Sequence, residues 1–269
     1  MFDLFDEDLD QLELVEGAIA LNHAVNPETE VIWVEKELDK LFREAELLLV
    51  NETDEKQKFE SFLRIFYHHW QFQGDSEAYF SSENAFIDKV LQRKKGIPVS
   101  LGALLLYFGR KLGFPLEGIT FPTQFIVKVT WFDERPQYIN PYNGEYVAEH
   151  ILRAWLIGHE GPLAELKSEH LESADHPTVI GRWLAILKSA LLREERYTLA
   201  LKCTDLALSF VPDDPYEIRD RGFIYQQLEC HQIAKNDYQF FIDQCPEDPA
   251  AELLKSQLNA LDENSVTIH

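Results

Sequence analysis

The chain has 269 residues, and its 25 Lys and Arg against 47 Asp and Glu give a net charge of 25 − 47 = −22. A surface this negative repels phosphate and anionic lipid, which argues against nucleic acid or a membrane surface as a partner. With 45% hydrophobic residues, the chain can bury a sizeable core in one large domain or two smaller ones.

Cysteine usage and the amino terminus indicate a cytoplasmic protein. The three cysteines are Cys203, Cys230 and Cys245, and no two stand at zinc-ligand spacing. An odd number without a CxxC pair fits a reducing compartment and no disulfide framework. Residues 1–10 are acidic where a signal peptide would be basic, and no apolar run approaches the ~18 residues that span a bilayer. We expect neither a metal nor a cofactor.

Residues 1 to about 95 show the periodicity of helices. In the fourth helical stretch, Ser82 is expected to cap the start and Gly96 to terminate the helix. The third stretch carries an apolar stripe of Phe59, Phe62, Leu63, Phe66 and Trp70. The predicted helical stretches are 11–25, 28–50, 54–72 and 82–96.

A fifth helix is predicted to begin at Pro98, whose fixed φ suits a first helical turn, and to end near Gly113. Apolar residues fill almost every position between them, so we expect a buried central helix. Beyond Gly113 the apolar period changes to two, which indicates strands. The predicted elements there are strands 117–121, 124–131 and 136–141, followed by a helix at 148–158.

The last hundred residues hold an internal repeat. Residues 195–215 align with 229–249 at an offset of 34, the length of a tetratricopeptide repeat. Lys188 stands where the first copy should have glycine. The tail from residue 250 would form a closing helix over the end of the stack. The second copy has the expected motif residues Gly222, Tyr225, Ala234, Tyr238 and Pro246.

These patterns predict a first domain at 1–160, a polar connector at 161–176 and a repeat domain at 177–269. The fold class is α+β: a mostly helical domain with a small antiparallel sheet, then an α-helical repeat region.

Ser100 is the first candidate for chemistry, because it lies in the opening turn of the apolar central helix. Backbone N–H groups and the positive end of the helix dipole favour an anion there, which suits a nucleophile. Serine is also among the best helix-capping residues, so a purely structural role explains the same position.

Three motifs, "GIPVSLG", "GITFPTQF" and "NPYNGE", resemble the transglutaminase-like core of bacterial SirB-type proteins, whose carboxy-terminal part carries tetratricopeptide repeats. The order of parts is similar over essentially the whole chain. The wider fold, which includes papain-like enzymes, implies a Cys, a His and an Asp or Asn. These catalytic places match Ser100, Gln124 and Asn140.

All three places depart from a working transglutaminase. A serine hydroxyl needs a general base in contact, and Gln124 has no group that accepts a proton. Asn140 can orient an imidazole, but none stands at the expected place. The resemblance therefore implies a degenerate site, in which the three side chains form a neutral hydrogen-bonding cluster or bind a small polar ligand.

Two function hypotheses follow. The preferred one is a non-catalytic interaction protein that binds a protein or peptide partner. The alternative is a hydrolase or acyltransferase that uses Ser100 with a base recruited from His68 or His69. On a predicted helix these adjacent histidines point about 100° apart, and the competing interpretation is an ordinary buried, hydrogen-bonded histidine.

Overall fold

The computed structural model describes the backbone of residues 12–266 and the side chains of residues 12–258. Residues 1–10, on which the signal-peptide expectation rested, lie outside this range. The chain divides into two compact units, Met1–Trp183 and Leu184–His269. This division lies inside a helix rather than in the polar stretch 161–176. Within residues 12–266, no helix has both the length and the apolar character needed to cross a membrane.

The first unit begins with three helices, as predicted. They are α1 (Leu14–Val25), α2 (Val31–Leu49) and α3 (Glu55–Arg64). Asp54 caps α3 by accepting a hydrogen bond from the Gln57 N–H. Helix α2 buries a stripe with helical spacing, which turns its polar residues to solvent: Val34, Leu38, Leu41, Ala45 and Leu49.

A π-helical turn, Ile65–His69, continues α3. The Trp70 N–H donates to the Ile65 carbonyl, so one extra residue is inserted into the turn. This insertion keeps the predicted aromatic stripe in the core, with Phe66 and Trp70 both buried, while His68 and His69 are exposed.

The predicted helix at 82–96 is wrong as a single element. The structure has a 3₁₀ turn (Ser82–Asn84), a short helix α4 (Ile87–Arg93) and a strand β2 (Lys95–Gly96). Strand β2 pairs in parallel with β1 (Gln73–Gly74). The residue that caps the 3₁₀ turn is Ser81, not Ser82.

Lys94 ends α4, and Gly96 is not the stop. The Lys94 backbone is left-handed, with φ of 57°. This conformation directs the chain into the pairing of β2 with β1. The local sequence pattern does not indicate that pairing, because β1 lies about 20 residues earlier in the chain.

The central helix, α5 (Pro98–Lys111), is buried as predicted. It packs against an antiparallel sheet with strand order β3-β4-β5-β6. A methyl group at Gly109 would lie 2.2 Å from Leu116, so this glycine permits the close approach of helix and sheet. The strands are β3 (Leu116–Thr120), β4 (Phe125–Val129), β5 (Gln137–Ile139) and β6 (Tyr146–Val147).

The segment expected to be a connector packs within the first unit. After α6 (Glu149–Glu160), a 3₁₀ turn (Ser168–Leu171) leads to Ala174, whose N–H donates to the Gly118 carbonyl of β3. Ala164, Leu166 and Leu171 pack on a buried cluster that consists of Ile119, Phe121, Ile126, Tyr138, Val147, Leu152 and Leu156.

The second unit contains the expected repeat helices. Its core includes Ala234, Tyr238 and Phe241. The Tyr238 ring lies against Gly222, where an added Cβ would be 2.9 Å from the ring. The helices are α7 (His176–Arg193, from Leu184 onward), α8 (Tyr197–Phe210), α9 (Pro215–Gln227), α10 (His231–Gln244) and α11 (Pro249–Val266).

Lys188, which replaces the repeat glycine, forms a buried ionic bridge. Its Nζ donates to Glu217 at 2.7 and 2.8 Å and to Asp220 at 2.7 Å. Burial acts to lower the pKa of Lys188, but the two carboxylates raise it more, so the net pKa lies above the ordinary value. The stabilisation is complete below the ordinary lysine pKa near ~10.4 and is lost as the pH rises through the higher folded value.

Lys188→Ala should lower the free energy of unfolding at pH 7 by about 1–3 kcal/mol, because two carboxylates lose their buried cation. Urea unfolding of the full chain measures this change. Lys255→Ala removes an exposed ion pair with Glu252 and serves as the control, with an expected change within about 0.5 kcal/mol. Equal losses in the two variants would contradict the prediction.

Candidate functional site

The three motifs identified in the sequence converge at one end of the strands of the sheet. Strand β4 begins just after Gln124, and β5 ends just before Asn140. Val127 pairs with Ile139, so the start of β4 and the end of β5 lie side by side. On α5, a Cβ at Gly102 would lie 2.5 Å from the Phe125 ring and 3.2 Å from Pro141. The start of α5 therefore lies against the same end of the sheet.

The Ser100 hydroxyl is fully buried and is bonded to the backbone. Its Oγ accepts a hydrogen bond from the Ile97 N–H at 3.1 Å. It lies 2.7 Å from the Asn84 carbonyl and 3.1 Å from the Ile97 carbonyl, and the shorter contact is the better acceptor. Ser100 is 0% exposed. Ser100 is the third residue of α5, whose N-cap is Ile97, so its hydroxyl closes the first turn of the helix and connects that turn to the 3₁₀ turn.

The Asn84 side chain is in turn hydrogen-bonded to the preceding loop. Its side-chain Nδ2 donates to the Ala78 carbonyl at 2.7 Å and to the Tyr79 carbonyl at 3.4 Å. Its Oδ1 accepts from Arg93 at 3.1 Å. Asn84 is itself 0% exposed. Because the Asn84 amide is itself buried, losing these partners would leave its polar atoms unsatisfied, which is costly.

Asp75 completes this buried network. Its carboxylate accepts from the Ala78 N–H at 3.1 Å and from Arg93 at 2.6 Å, and the residue is 1% exposed. Burial acts to raise the pKa of Asp75, but the Ala78 N–H and the Arg93 guanidinium lower it more, so the net pKa lies below the ordinary value. Asp75, Asn84, Arg93 and Ser100 are defined here as the anchor network.

Gln124 and Asn140 are not bonded to Ser100. Gln124 is half-buried, next to Thr123, whose Oγ1 is buried without a hydrogen-bond partner among the described residues. The Asn140 Oδ1 accepts from the Tyr142 N–H at 3.0 Å, which forms a local turn. Among residues 12–258, the three side chains form no hydrogen bonds with one another, so the expected neutral cluster is not present.

The two histidines considered as a base lie elsewhere. Both are exposed, so the interpretation of a buried histidine is wrong for each. The His69 Nε2 is 2.9 Å from Glu44, whose other oxygen accepts from the Trp70 indole N–H. The hydrogen bond from His69 lowers the pKa of Glu44. The π-helical turn causes this placement, because it directs His69 towards α2.

The arrangement around Ser100 suits a structural hydrogen bond rather than proton transfer. The hydroxyl oxygen contacts backbone groups, which do not accept a proton at neutral pH.

Sequence reasoning missed Asp75, Asn84 and Arg93. Their partners are spread between residues 75 and 100, and no periodic pattern indicates such contacts. Among the described residues, no group of three or more His, Cys, Asp and Glu side chains is placed to hold a metal ion.

Comparison with known proteins agrees with this architecture. Residues 32–185 match the transglutaminase-like superfamily, and residues 187–259 match a tetratricopeptide repeat. The chain is 38% identical to the protein SirB1 of Salmonella typhimurium over 269 residues, which covers all of both chains. The chain belongs to the SirB1 family of transglutaminase-like proteins.

Other SirB1-family relatives match over the full length as well. A UPF0162 protein of Vibrio cholerae is 70% identical, and the UPF0162 protein YchA of Escherichia coli K12 is 38% identical, each with complete coverage of both chains. No solved structure is significantly similar to the chain. The family resemblance and the α+β fold class expected from the sequence are confirmed.

In this SirB1-family chain, Ser100→Ala should lower the free energy of unfolding by about 1–3 kcal/mol, since the Ile97 N–H and the Asn84 carbonyl lose a buried partner. Chemical denaturation measures the change. Ser76→Ala, at an exposed serine in the same loop, should change it by less than about 0.5 kcal/mol. A Ser100→Ala protein as stable as the Ser76→Ala protein would contradict the structural role.

Asp75→Asn should lower the free energy of unfolding by about 1–3 kcal/mol at pH 7, because Arg93 loses its buried charged partner. A depressed carboxyl pKa contributes stability above the unfolded value of ~3.9, and that stability is lost as the pH falls through the folded value. The difference between wild type and Asp75→Asn should therefore be largest near neutral pH and shrink below about pH 4. A difference that stays constant from pH 7 to pH 3 would contradict this assignment.

Proposed function

We propose that this protein is a non-catalytic protein-interaction or regulatory protein, built on a degenerate transglutaminase-like domain and tetratricopeptide repeats. The observation that carries the proposal is the buried hydroxyl of Ser100, which accepts from the Ile97 N–H and donates to a backbone carbonyl. A nucleophile must reach its substrate and pass its proton to a base. The Ser100 hydroxyl instead forms structural hydrogen bonds with the backbone.

The repeat region supports a protein or peptide as the partner. Tetratricopeptide helices stack into an extended surface, and such solenoid surfaces serve binding. The net charge of −22 favours a basic partner over nucleic acid. Cytoplasmic location belongs to the same proposal, because Cys203, Cys230 and Cys245 are free thiols.

The alternative, a hydrolase or acyltransferase at Ser100, gains no specific support. His69 is paired with Glu44, and His68 is exposed on the same turn. For either to act as the base, its ring nitrogen must come within about 3.2 Å of the Ser100 hydroxyl. The π-helical turn would have to rearrange and the Ser100 bonds would have to break.

A fluorophosphonate probe for activated serines tests the proposal directly. Because Ser100 is buried and lacks a base, we expect no labelling of the native full-length protein under conditions that label a serine hydrolase completely. Mass spectrometry of the peptide that contains Ser100 is the readout. Labelling that disappears in Ser100→Ala but persists in Ser76→Ala would overturn the proposal.

Ser100→Cys gives a second test, because it places the nucleophile of the wider fold at this position. Burial of residue 100 should make the introduced thiol react with iodoacetamide at least about tenfold more slowly than the exposed Cys230 of the same molecule. The buried Cys203, whose pKa burial raises to about 12, is the slow reference. An introduced thiol that reacts as fast as Cys230 in the folded Ser100→Cys protein would show an accessible site and contradict the proposal.

A further inference from the structure

The loop between β1 and the 3₁₀ turn is hydrogen-bonded to the anchor network at three points. Asp75 binds the Ala78 N–H, and Asn84 binds the carbonyls of Ala78 and Tyr79. These partly buried bonds therefore restrain the backbone that carries Tyr79. A loop restrained in this way loses little conformational entropy when its side chains bind a partner.

This loop presents aromatic rings to solvent. Tyr79 is 40% exposed and Phe80 is 62% exposed, and their ring centroids lie 5.2 Å apart. Tyr142, from the "NPYNGE" motif, adds a third ring 6.1 Å from Tyr79. Its ring lies over Gly74, where an added Cβ would overlap it at 2.2 Å. Tyr79, Phe80 and Tyr142 are defined here as the aromatic surface.

Acidic residues flank Tyr79 and Phe80 along the chain. Residues 75–86 contain three acids and no base. Of these acids, Glu77 and Glu83 have side chains that are 84% and 51% exposed. Each contacts one cation of the following segment, Glu77 with Lys95 at 3.2 Å and Glu83 with Arg93 at 3.3 Å. A carboxylate accepts several hydrogen bonds, so both retain capacity for a further donor.

Exposed aromatic rings with exposed carboxylates two to four residues away in the chain match the chemistry of a guanidinium group. Arginine stacks its planar cation on an aromatic face and donates to carboxylates from its edge, whereas the ammonium of lysine is compact and strongly hydrated. The charge of −22 on the whole chain adds long-range attraction for a basic partner.

We propose that the aromatic surface docks an arginine-bearing segment of a basic protein, with arginine stacked on Tyr79 and paired with Glu77 or Glu83. This inference rests on the proposed function, since it names the partner chemistry for the binding role. It also gives Ser100 a task within that role, because the Ser100 hydroxyl holds Asn84, which in turn holds the Tyr79 carbonyl.

Fluorescence anisotropy with the full-length protein in about 0.15 M salt tests the inference. The probe is a fluorescein-labelled nonapeptide of three Gly-Arg-Gly units, compared with the same peptide carrying lysine. We expect saturable binding of the arginine peptide and at least about threefold weaker binding of the lysine peptide. No saturable binding of the arginine peptide, or equal affinity for the two peptides, would overturn the inference.

Variants locate the binding on the surface. Tyr79→Ala and Phe80→Ala should each weaken the arginine peptide by about three- to thirtyfold, which is the range for one cation–π contact, while Tyr79→Phe retains the ring and the affinity. Phe132→Ala is the matched control, because Phe132 is 99% exposed on the β4–β5 turn, and its affinity should match wild type. Equal weakening by Phe132→Ala would contradict a specific surface.

A charge control separates docking from attraction to the acidic chain as a whole. Glu77→Gln should weaken binding more than Glu46→Gln, which removes the same charge from an exposed position on α2. Equal effects would mean long-range attraction alone and would overturn the inference. Such a failure leaves the proposed function to its own test, since fluorophosphonate labelling at Ser100 does not depend on this surface.

Discussion

The hydrogen bond from the Ser100 hydroxyl to the Asn84 carbonyl connects the two parts of the first unit on which the candidate site depends. One partner lies in the opening turn of the central helix, and the other ends the loop that begins at Asp75. Both residues are fully buried, so water does not compete for the bond. The Asn84 side chain in turn bonds Ala78, Tyr79 and Arg93, so the Ser100 hydroxyl is connected through one residue to the preceding loop.

This use of the hydroxyl bears directly on function. A serine acts as a nucleophile only when its oxygen is open to substrate and its proton can pass to a base. At Ser100, the oxygen accepts from one backbone N–H and the proton is directed to a carbonyl. Gln124 and Asn140 stand at the neighbouring strand ends without contacting it. The Ser100 site is therefore better understood as a structural connection between helix α5 and the preceding loop.

The sequence predicted what depends on local periodicity. The apolar stripe of α3, the buried α5 and the 34-residue repeat were all recognisable, because neighbouring residues determine them. The stretch 82–96 was mispredicted because Lys94 adopts a left-handed backbone and Lys95 pairs with Gln73, a contact across 22 residues. The anchor network was not predicted for the same reason, because the sequence pattern does not show which carbonyl a buried side chain contacts.

In the repeat region, a residue that departs from the motif also forms a buried contact, which in this case is ionic. Gly222 is small because the Tyr238 ring packs against it. One repeat earlier, at an offset of 34, these places hold Lys188 and the fully buried Thr204, so the small and bulky residues are exchanged. Lys188 then uses its length to reach Glu217 and Asp220. Lys188 departs from the repeat pattern and Ser100 departs from a working transglutaminase, yet each forms buried hydrogen bonds in this structure. A motif mismatch alone is therefore a poor measure of whether a position matters.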